Sequence, residues 1–316
     1  MRAAYASKID PEDPLQALTV GDLPEAVPPD EWVTVEVRAS SLNHHDLWSL
    51  RGVGLPADRL PMILGCDAAG VDPHGNEVVV YSVVPDPADP RGLSMLSENF
   101  PGTLADRVAA PRANLIPKPE GMSFLDAACL PTAWLTAWSM LTARGRVDEV
   151  EAVLVQGAGG GVATAAVVLA AAMGKRVYAT SREEWKRERI TALGATALAP
   201  GARLPERVRL VIESVGSPTF EHSMKSSAPL GRIVVCGATG GHRATIDLRR
   251  VFAMRLEILG ATMGTADELT ALLDFMVARG VRPVIDSTYG FTAVADAFAR
   301  LESGEVFGKV AVDHLH

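Results

Sequence analysis

The spacing of apolar residues divides the chain into two regions of different character. Residues 1–119 are rich in proline and in short runs where apolar and polar side chains alternate. The clearest run, Trp32–Arg38, has the period of two that a half-buried strand needs. Proline and aspartate crowd residues 85–90, which are therefore predicted to form a loop. Pattern alone thus predicts a β-rich first region.

Helical, alanine-rich segments begin after Pro119. Ser123 and Asp126 have the spacing of a helix start, which predicts a helix over Asp126–Ala143 with a break at Pro131. From Ala152 onward short apolar runs alternate with helical runs, and this alternation predicts a parallel sheet covered by helices. The predicted strands are Ala152–Gln156, Arg176–Ala179, Leu210–Ile212, Ile233–Cys236 and Leu256–Leu259, and the predicted helices are Ala163–Met173, Glu183–Leu193, one that begins at Ser217-Pro218, one capped by Thr265 and Glu268, and Thr292–Leu301.

A glycine cluster separates the first strand of this region from its helix. The residues expected to form the turn are Gly157, Gly160, Gly161 and Val162. Strand, glycine turn and helix in this order can hold a dinucleotide pyrophosphate, because glycine allows close approach and the helix start presents free N–H groups. Residues 152–174 carry no charged side chain, so a membrane span is the alternative, but the glycines divide the run into two short elements.

The end of the second strand indicates which cofactor the turn binds. An acidic residue there would select NAD, whereas this chain has Ser181 and Arg182, with Lys186 one helical turn later. Cationic and hydroxyl groups suit the additional phosphate of NADPH, which is the predicted cofactor. The alternative is that Arg182 and Lys186 only solvate a helix start, beside Glu183 and Glu184.

Composition narrows the class of protein. The 316 residues are 48% hydrophobic and carry a formal net charge of −8, which argues against a nucleic-acid partner. The three cysteines are Cys66, Cys129 and Cys236, too few and too widely spaced for a disulfide framework. The first residues lack the apolar core of a signal peptide. We expect a cytoplasmic protein with no membrane partner.

Six motifs along the chain carry a family resemblance: Ser41–Asp46, Leu64–Gly70, Leu130–Trp138, the glycine turn, Gly231–Gly237 and Phe307–Lys309. Together they resemble the medium-chain dehydrogenase/reductase superfamily, above all its zinc-free quinone oxidoreductases and enone reductases. The resemblance covers nearly the whole chain and implies a GroES-like β-barrel catalytic domain plus a Rossmann domain with a doubly wound parallel sheet. It implies a first catalytic segment at 1–121, an NADPH-binding domain at 122–262 and a completing catalytic segment at 263–316.

The departures from this family concern the metal. Catalytic zinc in relatives is held at positions that align with Asn43, Cys66 and Thr132, and two of these lack a metal-grade donor. The stretch that would hold a structural zinc, roughly 81–105, has no cysteine. No bound metal is predicted. An atypical site that uses His44, His45, Cys66 and Asp67 remains the alternative.

Without a metal, reduction of an electrophilic acceptor is the expected chemistry, so the predicted substrate is a quinone or an enone. The resemblance places three candidate catalytic residues after the strand that ends near Leu42. His45 lies where zinc relatives carry a proton-relaying hydroxyl, Asn43 matches an asparagine of the zinc-free branch, and Trp48 takes the place of a tyrosine. His45 paired with Asp46 in a purely structural role is the alternative.

The nicotinamide end of the cofactor is expected at the carboxyl ends of the later strands. This assigns Gly237, Ala238 and Met263 to it, and the resemblance adds Thr136, which could instead bond its own helix. The family's habit implies a homodimer through the edge strand at Leu256–Ala261. Two other functions stay open: an alcohol dehydrogenase with an atypical metal, and a nucleotide-binding protein with little catalysis.

Overall fold

The strands and helices fall into two groups that differ in strand direction. The computed structural model describes residues 1–25, 27–90 and 92–315. Its strands are β1 (Arg2–Ala6), β2 (Leu18–Asp22), β3 (Trp32–Leu42), β4 (Met62–Ile63), β5 (Asp67–Val71), β6 (Glu77–Val80), β7 (Val83–Pro85), β8 (Leu93–Met95), β9 (Arg107–Pro111), β10 (Leu115–Pro117), β11 (Ala152–Val155), β12 (Arg176–Thr180), β13 (Thr196–Leu198), β14 (Val208–Glu213), β15 (Ser227–Val235), β16 (Glu257–Gly260), β17 (Ile285–Gly290) and β18 (Lys309–Asp313). Its α-helices are α1 (His44–Leu50), α2 (Phe124–Ala128), α3 (Leu135–Ser139), α4 (Gly161–Ala172), α5 (Glu184–Ala192), α6 (Ser217–Ser226), α7 (Leu248–Met254), α8 (Ala266–Arg279) and α9 (Val294–Glu302).

The first compact unit, called here the barrel unit, consists of 1–132, 269–277 and 285–316. Its main sheet has seven strands, in the order β10-β6-β5-β3-β18-β17 with β9 also on β3. The long strand β3 has alternate residues Val33, Val35 and Val37 buried, as its period of two predicts. The last strand, β18, pairs antiparallel with the end of β3 and parallel with β17. The carboxyl-terminal segment therefore completes this sheet.

The second compact unit, called here the nucleotide unit, consists of 133–268 and 278–284. It contains a parallel sheet of six strands in the order β13-β12-β11-β14-β15-β16. Counted from β11, this is the 3-2-1-4-5-6 order of a Rossmann sheet. The strand β11 lies at the centre and is buried along its whole length, because parallel strands carry helices on both faces. The predicted fold class is confirmed.

Helix starts agree with the capping signals in the sequence. The Ser123 hydroxyl accepts the Asp126 N–H at 3.0 Å, and Thr265 and Glu268 bond each other's backbone N–H groups at 3.1 and 2.9 Å. The helix predicted over Asp126–Ala143, with a break at Pro131, is present, but not all of its turns are α-helical. Short α-helical segments alternate with π-helical turns over Leu130–Trp134 and Met140–Arg144. Pro131 lies in the first turn, where its missing N–H prevents the regular ladder.

One edge of the nucleotide unit carries exposed apolar side chains. The strand β16 pairs with β15 on one side and is the last strand of its sheet. On the neighbouring helix α7, Leu248 and Phe252 are 71% and 72% exposed. Unpaired strand edges invite pairing with another strand. In the described part of the chain, no helix combines the length and apolar character needed to cross a membrane.

Candidate functional site

The glycine turn after β11 has the shape that its sequence predicts. Gly157 has a φ of +66°, and a Cβ on it would collide with the Val215 side chain. Gly159 has a φ of +154°, and its Cβ would lie 2.9 Å from the Lys186 Cδ. By contrast, a Cβ on Gly160 would meet nothing within 4 Å. The turn is thus tightly packed at two glycines and open at the third.

The helix α4 starts directly after this turn. Gly160 is its N-cap residue and Gly161 and Val162 are its first two residues. The first N–H groups of a helix have no partner inside it, so they present a partial positive charge. These groups are where an anion would bind. Gly157, Gly160, Gly161 and Val162 therefore lie together in the turn and at the helix start, with Gly159 between them.

A buried polar network holds the turn in place. The Thr180 hydroxyl accepts the Gly157 N–H at 3.1 Å and donates to the Gln156 side chain at 2.7 Å. Gln156 Nε2 in turn contacts His222 Nδ1 at 2.9 Å and Ser223 Oγ at 3.0 Å. The bonds connect the ends of β11 and β12 to α6. Satisfied buried networks of this kind make one conformation rigid.

Residues 182–187, which follow β12, carry three basic and two acidic side chains. The Ser181 hydroxyl is buried and contacts Glu183 Oε2 at 3.4 Å. The Arg182 side chain is 85% exposed, whereas that of Lys186 is 10% exposed and lies against Gly159. The guanidinium of Arg187 donates to the carbonyl oxygens of Ser181 and Arg182. Ser181, Arg182 and Lys186 therefore lie close together. Arg187 lies beside them and was not among the residues predicted from the sequence.

The residues predicted at the nicotinamide end fall into two groups. Gly237 and Ala238 follow β15, and their loop closes onto the loop after β14, where the Gly240 N–H donates to the Val215 carbonyl at 2.8 Å. Thr136 and Met263 are both buried and meet through the Thr136 hydroxyl and the Met263 sulfur, 3.9 Å apart. Each group lies in the nucleotide unit.

In the barrel unit, Asn43 is held by two charged neighbours. Its Oδ1 accepts from Lys309 Nζ at 2.6 Å, and its Nδ2 donates to Asp67 Oδ2 at 2.8 Å. Lys309 Nζ also contacts Asp67 Oδ2 at 2.9 Å, and both residues are buried. The Ser41 hydroxyl adds a third donor to the same Asp67 oxygen at 2.8 Å. Asn43 is thus fixed within a buried ion pair.

His45 has partners at both ring nitrogens. Nε2 lies 3.1 Å from Glu98 Oε1, and Nδ1 lies 3.4 Å from Cys66 Sγ. Burial disfavours the imidazolium, but the contacts with Cys66 and Glu98 and the charge of Asp46 outweigh it and hold the pKa of His45 well above 6.5. Burial also raises the pKa of the Cys66 thiol, which donates to the Leu96 carbonyl. His45 therefore lies between a carboxylate and a thiol, each within hydrogen-bond distance of one ring nitrogen.

The carboxylate of Asp46 organises the start of α1. One of its oxygens accepts the Asn43 N–H at 2.7 Å and the other accepts the Gly65 N–H at 2.9 Å. Gly65 has a φ of +95°, and a side chain there would collide with Thr103 and Leu104. Trp48 lies on α1, one turn after its first residue, His44, and is partly exposed. Asn43, His45 and Trp48 are therefore brought to one short segment.

The superfamily's zinc was tested against these contacts. Asn43 and Cys66, two positions that align with zinc ligands, bond different neighbours. In the described ranges, one group of three metal-capable side chains is gathered within 4.8 Å: His45, Asp46 and Cys66. Both oxygens of Asp46 and both nitrogens of His45 already have partners. The three positions that align with zinc ligands do not fit a three-ligand zinc site, because Asn43 and Thr132 lack a metal-grade donor.

Two family models match the chain. "Alcohol dehydrogenase GroES-like domain" matches residues 29–120 and "Zinc-binding dehydrogenase" matches 187–312. A solved structure described as an NAD-dependent alcohol dehydrogenase has a TM-score of 0.88 and 33% identity, over 99% of each chain. Acryloyl-coenzyme A reductase of Sulfurisphaera tokodaii is 25% identical over 95% of this chain and 97% of that protein.

A much longer protein shows a partial match. A phenolphthiocerol/phthiocerol polyketide synthase of Mycobacterium tuberculosis is 27% identical over 98% of this chain. The chain spans only 15% of that synthase's length. Taken with the Rossmann strand order and the full-length match at 33% identity, these comparisons show that the chain belongs to the medium-chain dehydrogenase/reductase superfamily of nicotinamide-dependent oxidoreductases.

Proposed function

We propose that the protein is a zinc-independent, NADPH-dependent reductase of α,β-unsaturated carbonyl compounds or quinones. The observation that carries the proposal is the polar site of the barrel unit. There an amide donor, Asn43, is fixed by Asp67 and Lys309 at a position where zinc relatives carry a metal ligand. A neutral donor of this kind suits an acceptor that is already electrophilic.

The end of β12 supports NADPH as the cofactor. Arg182, Lys186 and Arg187 bring three positive charges to the residues that follow the strand, against the two negative charges of Glu183 and Glu184. Burial opposes ionisation of Glu183, but a hydrogen bond from its own backbone and the charges of Lys186 and Arg182 lower its pKa, so this carboxylate is ionised. The net positive charge suits a 2′-phosphate. The turn at Gly157–Val162 would hold the pyrophosphate.

The reaction needs one hydride and one proton. When bound, NADPH supplies the hydride to the β-carbon of the acceptor, and negative charge then develops on the carbonyl oxygen. Asn43 would donate a hydrogen bond from its amide N–H to that oxygen. Protonated His45 would supply the proton that completes the reduction. His45 must first release Glu98 or Cys66, because both of its ring nitrogens are engaged.

The relatives favour a conjugated double bond over a quinone. One full-length relative is named as an acryloyl-coenzyme A reductase, and acryloyl thioesters carry a double bond conjugated to a carbonyl. An acryloyl thioester is therefore an α,β-unsaturated carbonyl compound, the class to which enones also belong. Thr136, Met263, Gly237 and Ala238 are proposed to contact the nicotinamide, and Trp48 to form an apolar wall for the substrate.

We also propose that the protein forms a homodimer through the edge of its parallel sheet. β16 lies within the segment 256–261 predicted for this role and offers an unpaired edge. Leu248 and Phe252 on α7 add exposed apolar surface beside it. A second copy would cover this surface and extend the sheet.

The first test measures NADPH consumption with a crotonyl or acryloyl thioester, a simple enone, a benzoquinone and an aldehyde, each with and without a strong chelator. We expect turnover of the thioester or enone that survives chelation. Activity confined to the aldehyde and lost with the chelator would favour a metal-dependent alcohol dehydrogenase. NADPH binding without turnover of any acceptor would favour a protein with little catalysis.

The cofactor assignment predicts a selective loss. Lys186→Ala and Arg182→Ala should each weaken NADPH binding about tenfold or more and leave NADH binding nearly unchanged, because each removes a charge-assisted contact with phosphate. Titration of cofactor fluorescence measures both. Arg176→Ala is the matched control, since this arginine lies at the opposite end of β12. Equal losses for NADPH and NADH would contradict the assignment.

The role of His45 predicts a shifted pH profile. Because its pKa is raised in the fold, its contacts stabilise the protein below pH 6.5, and this stabilisation is lost as the pH rises through the raised pKa. If His45 is the acid, turnover also declines through that pKa. Glu98→Gln should move the decline to lower pH, whereas Glu25→Gln, a carboxylate paired with exposed Arg107, should not. An unmoved profile in Glu98→Gln would exclude His45 as the acid.

The dimer predicts an effect of charge on α7. Sedimentation at micromolar concentration should show a dimer for the natural chain and a monomer for the double variant Leu248→Asp, Phe252→Asp. Val277→Asp, which changes an exposed valine on α8, should remain dimeric. A natural chain that sediments as a monomer would refute the interface.

A further inference from the structure

A buried ammonium group lies behind the candidate amide donor. Lys309 begins β18 and is 2% exposed. Its Nζ donates to the Leu42 carbonyl at 2.8 Å, to Asn43 Oδ1 at 2.6 Å and to Asp67 Oδ2 at 2.9 Å. An ammonium has three hydrogens and no acceptor, so these three contacts use its full capacity. Lys309 is therefore a resident cation with a fixed position.

The two charges determine which way the Asn43 amide faces. Lys309 can only donate, so the oxygen of the amide must face it. Ionised Asp67 can only accept, so the nitrogen must face the carboxylate. The reversed amide would place its NH₂ group against an ammonium and its oxygen against a carboxylate. Both contacts would be repulsive in a buried site, where charge interactions are strong.

The orientation leaves one hydrogen on Asn43 Nδ2 for another partner. The NH₂ group has two hydrogens, and one of them goes to Asp67. The second has no acceptor among the residues that the structure describes. Asn43 is 8% exposed, so part of its surface remains accessible. Withdrawal of electron density from Oδ1 by the ammonium also makes the remaining N–H a better donor.

We infer that Lys309 and Asp67 are positioning residues that hold the Asn43 amide with its second hydrogen available for the carbonyl oxygen of the substrate. The inference rests on the proposed function for its catalytic consequence. The Lys309 ammonium orients the neutral Asn43 amide and strengthens it as a hydrogen-bond donor, without contacting the substrate itself. Lys309 thus supports the charge that develops during reduction through Asn43.

The geometric part can be tested by nuclear magnetic resonance without any substrate. The chain has four asparagines, Asn43, Asn76, Asn99 and Asn114, so labelling with ¹⁵N-asparagine gives four side-chain amide pairs. Loss of one pair in Asn43→Ala assigns the signal. We expect Lys309→Met to speed hydrogen exchange at the Asn43 amide about tenfold or more, since charge-assisted bonds are lost. Unchanged exchange would overturn the inference.

Lys118→Met provides the matched control. Lys118 is also a buried lysine of the barrel unit, paired with Glu77 at 2.8 Å and bonded to backbone carbonyls. Its loss should lower stability without altering the Asn43 signals. If Lys309→Met fails to fold because Asp67 is left unpaired, the double variant Asp67→Asn, Lys309→Met removes both charges and should show the same loss of protection.

The catalytic part is tested by steady-state kinetics with an enone at saturating NADPH. We expect kcat to fall about a hundredfold in Asn43→Ala and in Lys309→Met, with NADPH affinity and the KM for the enone little changed. Lys118→Met should retain kcat. An altered amide with normal kcat in Lys309→Met would overturn the inference. A natural chain inactive on every acceptor would refute the proposed function, while the amide exchange would still decide whether Lys309 positions Asn43.

Discussion

The buried contact between Lys309 and Asp67 joins the last strand of the barrel unit to β5 at the candidate site. Lys309 lies on the last strand, which pairs with β3, and Asp67 begins β5 on the other side of β3. Between them is the end of β3, where the Leu42 carbonyl and the Asn43 side chain both bind the ammonium. Breaking a buried pair by removing one partner typically costs about 3–5 kcal/mol. The start of α1, and with it the candidate donors, therefore depends on this interaction.

The glycine turn of the nucleotide unit relies on steric fit and on hydrogen bonds between uncharged groups. Gly157 and Gly159 pack so closely that no side chain fits, and the Gln156–Thr180 bond fixes the turn relative to the next strand. These constraints involve no ion pair. They also leave the N–H groups at the start of α4 free for an anion. The charged residues lie further on, at the end of β12. The nucleotide unit thus offers backbone N–H groups to an anion, whereas the barrel unit offers an oriented side-chain amide.

Much of the fold could be predicted from local pattern, because strands, caps and glycine turns are encoded by neighbouring residues. Trp32–Arg38, the glycine turn and the Thr265–Glu268 cap are examples. The π-helical turns inside the helix predicted over Asp126–Ala143 could not be predicted, because apolar periodicity does not distinguish α-helical from π-helical turns. For the candidate site, the sequence predicted Asn43 and His45, whose roles stay predictions, but neither Lys309, which contacts Asn43 across 266 residues, nor Glu98 beside His45. Such pairs become visible only when the sheet is assembled.

We propose that an oriented amide, and no metal, receives the charge that develops on the substrate. A crystal structure of the protein with NADP⁺ and an unreactive carbonyl analogue, recorded with anomalous scattering at the zinc edge, would distinguish the amide from a metal. We expect the analogue's oxygen at about 2.8–3.1 Å from Asn43 Nδ2 and no anomalous peak near Cys66. An anomalous peak between His45 and Cys66, or an oxygen bound away from Asn43, would contradict this proposal.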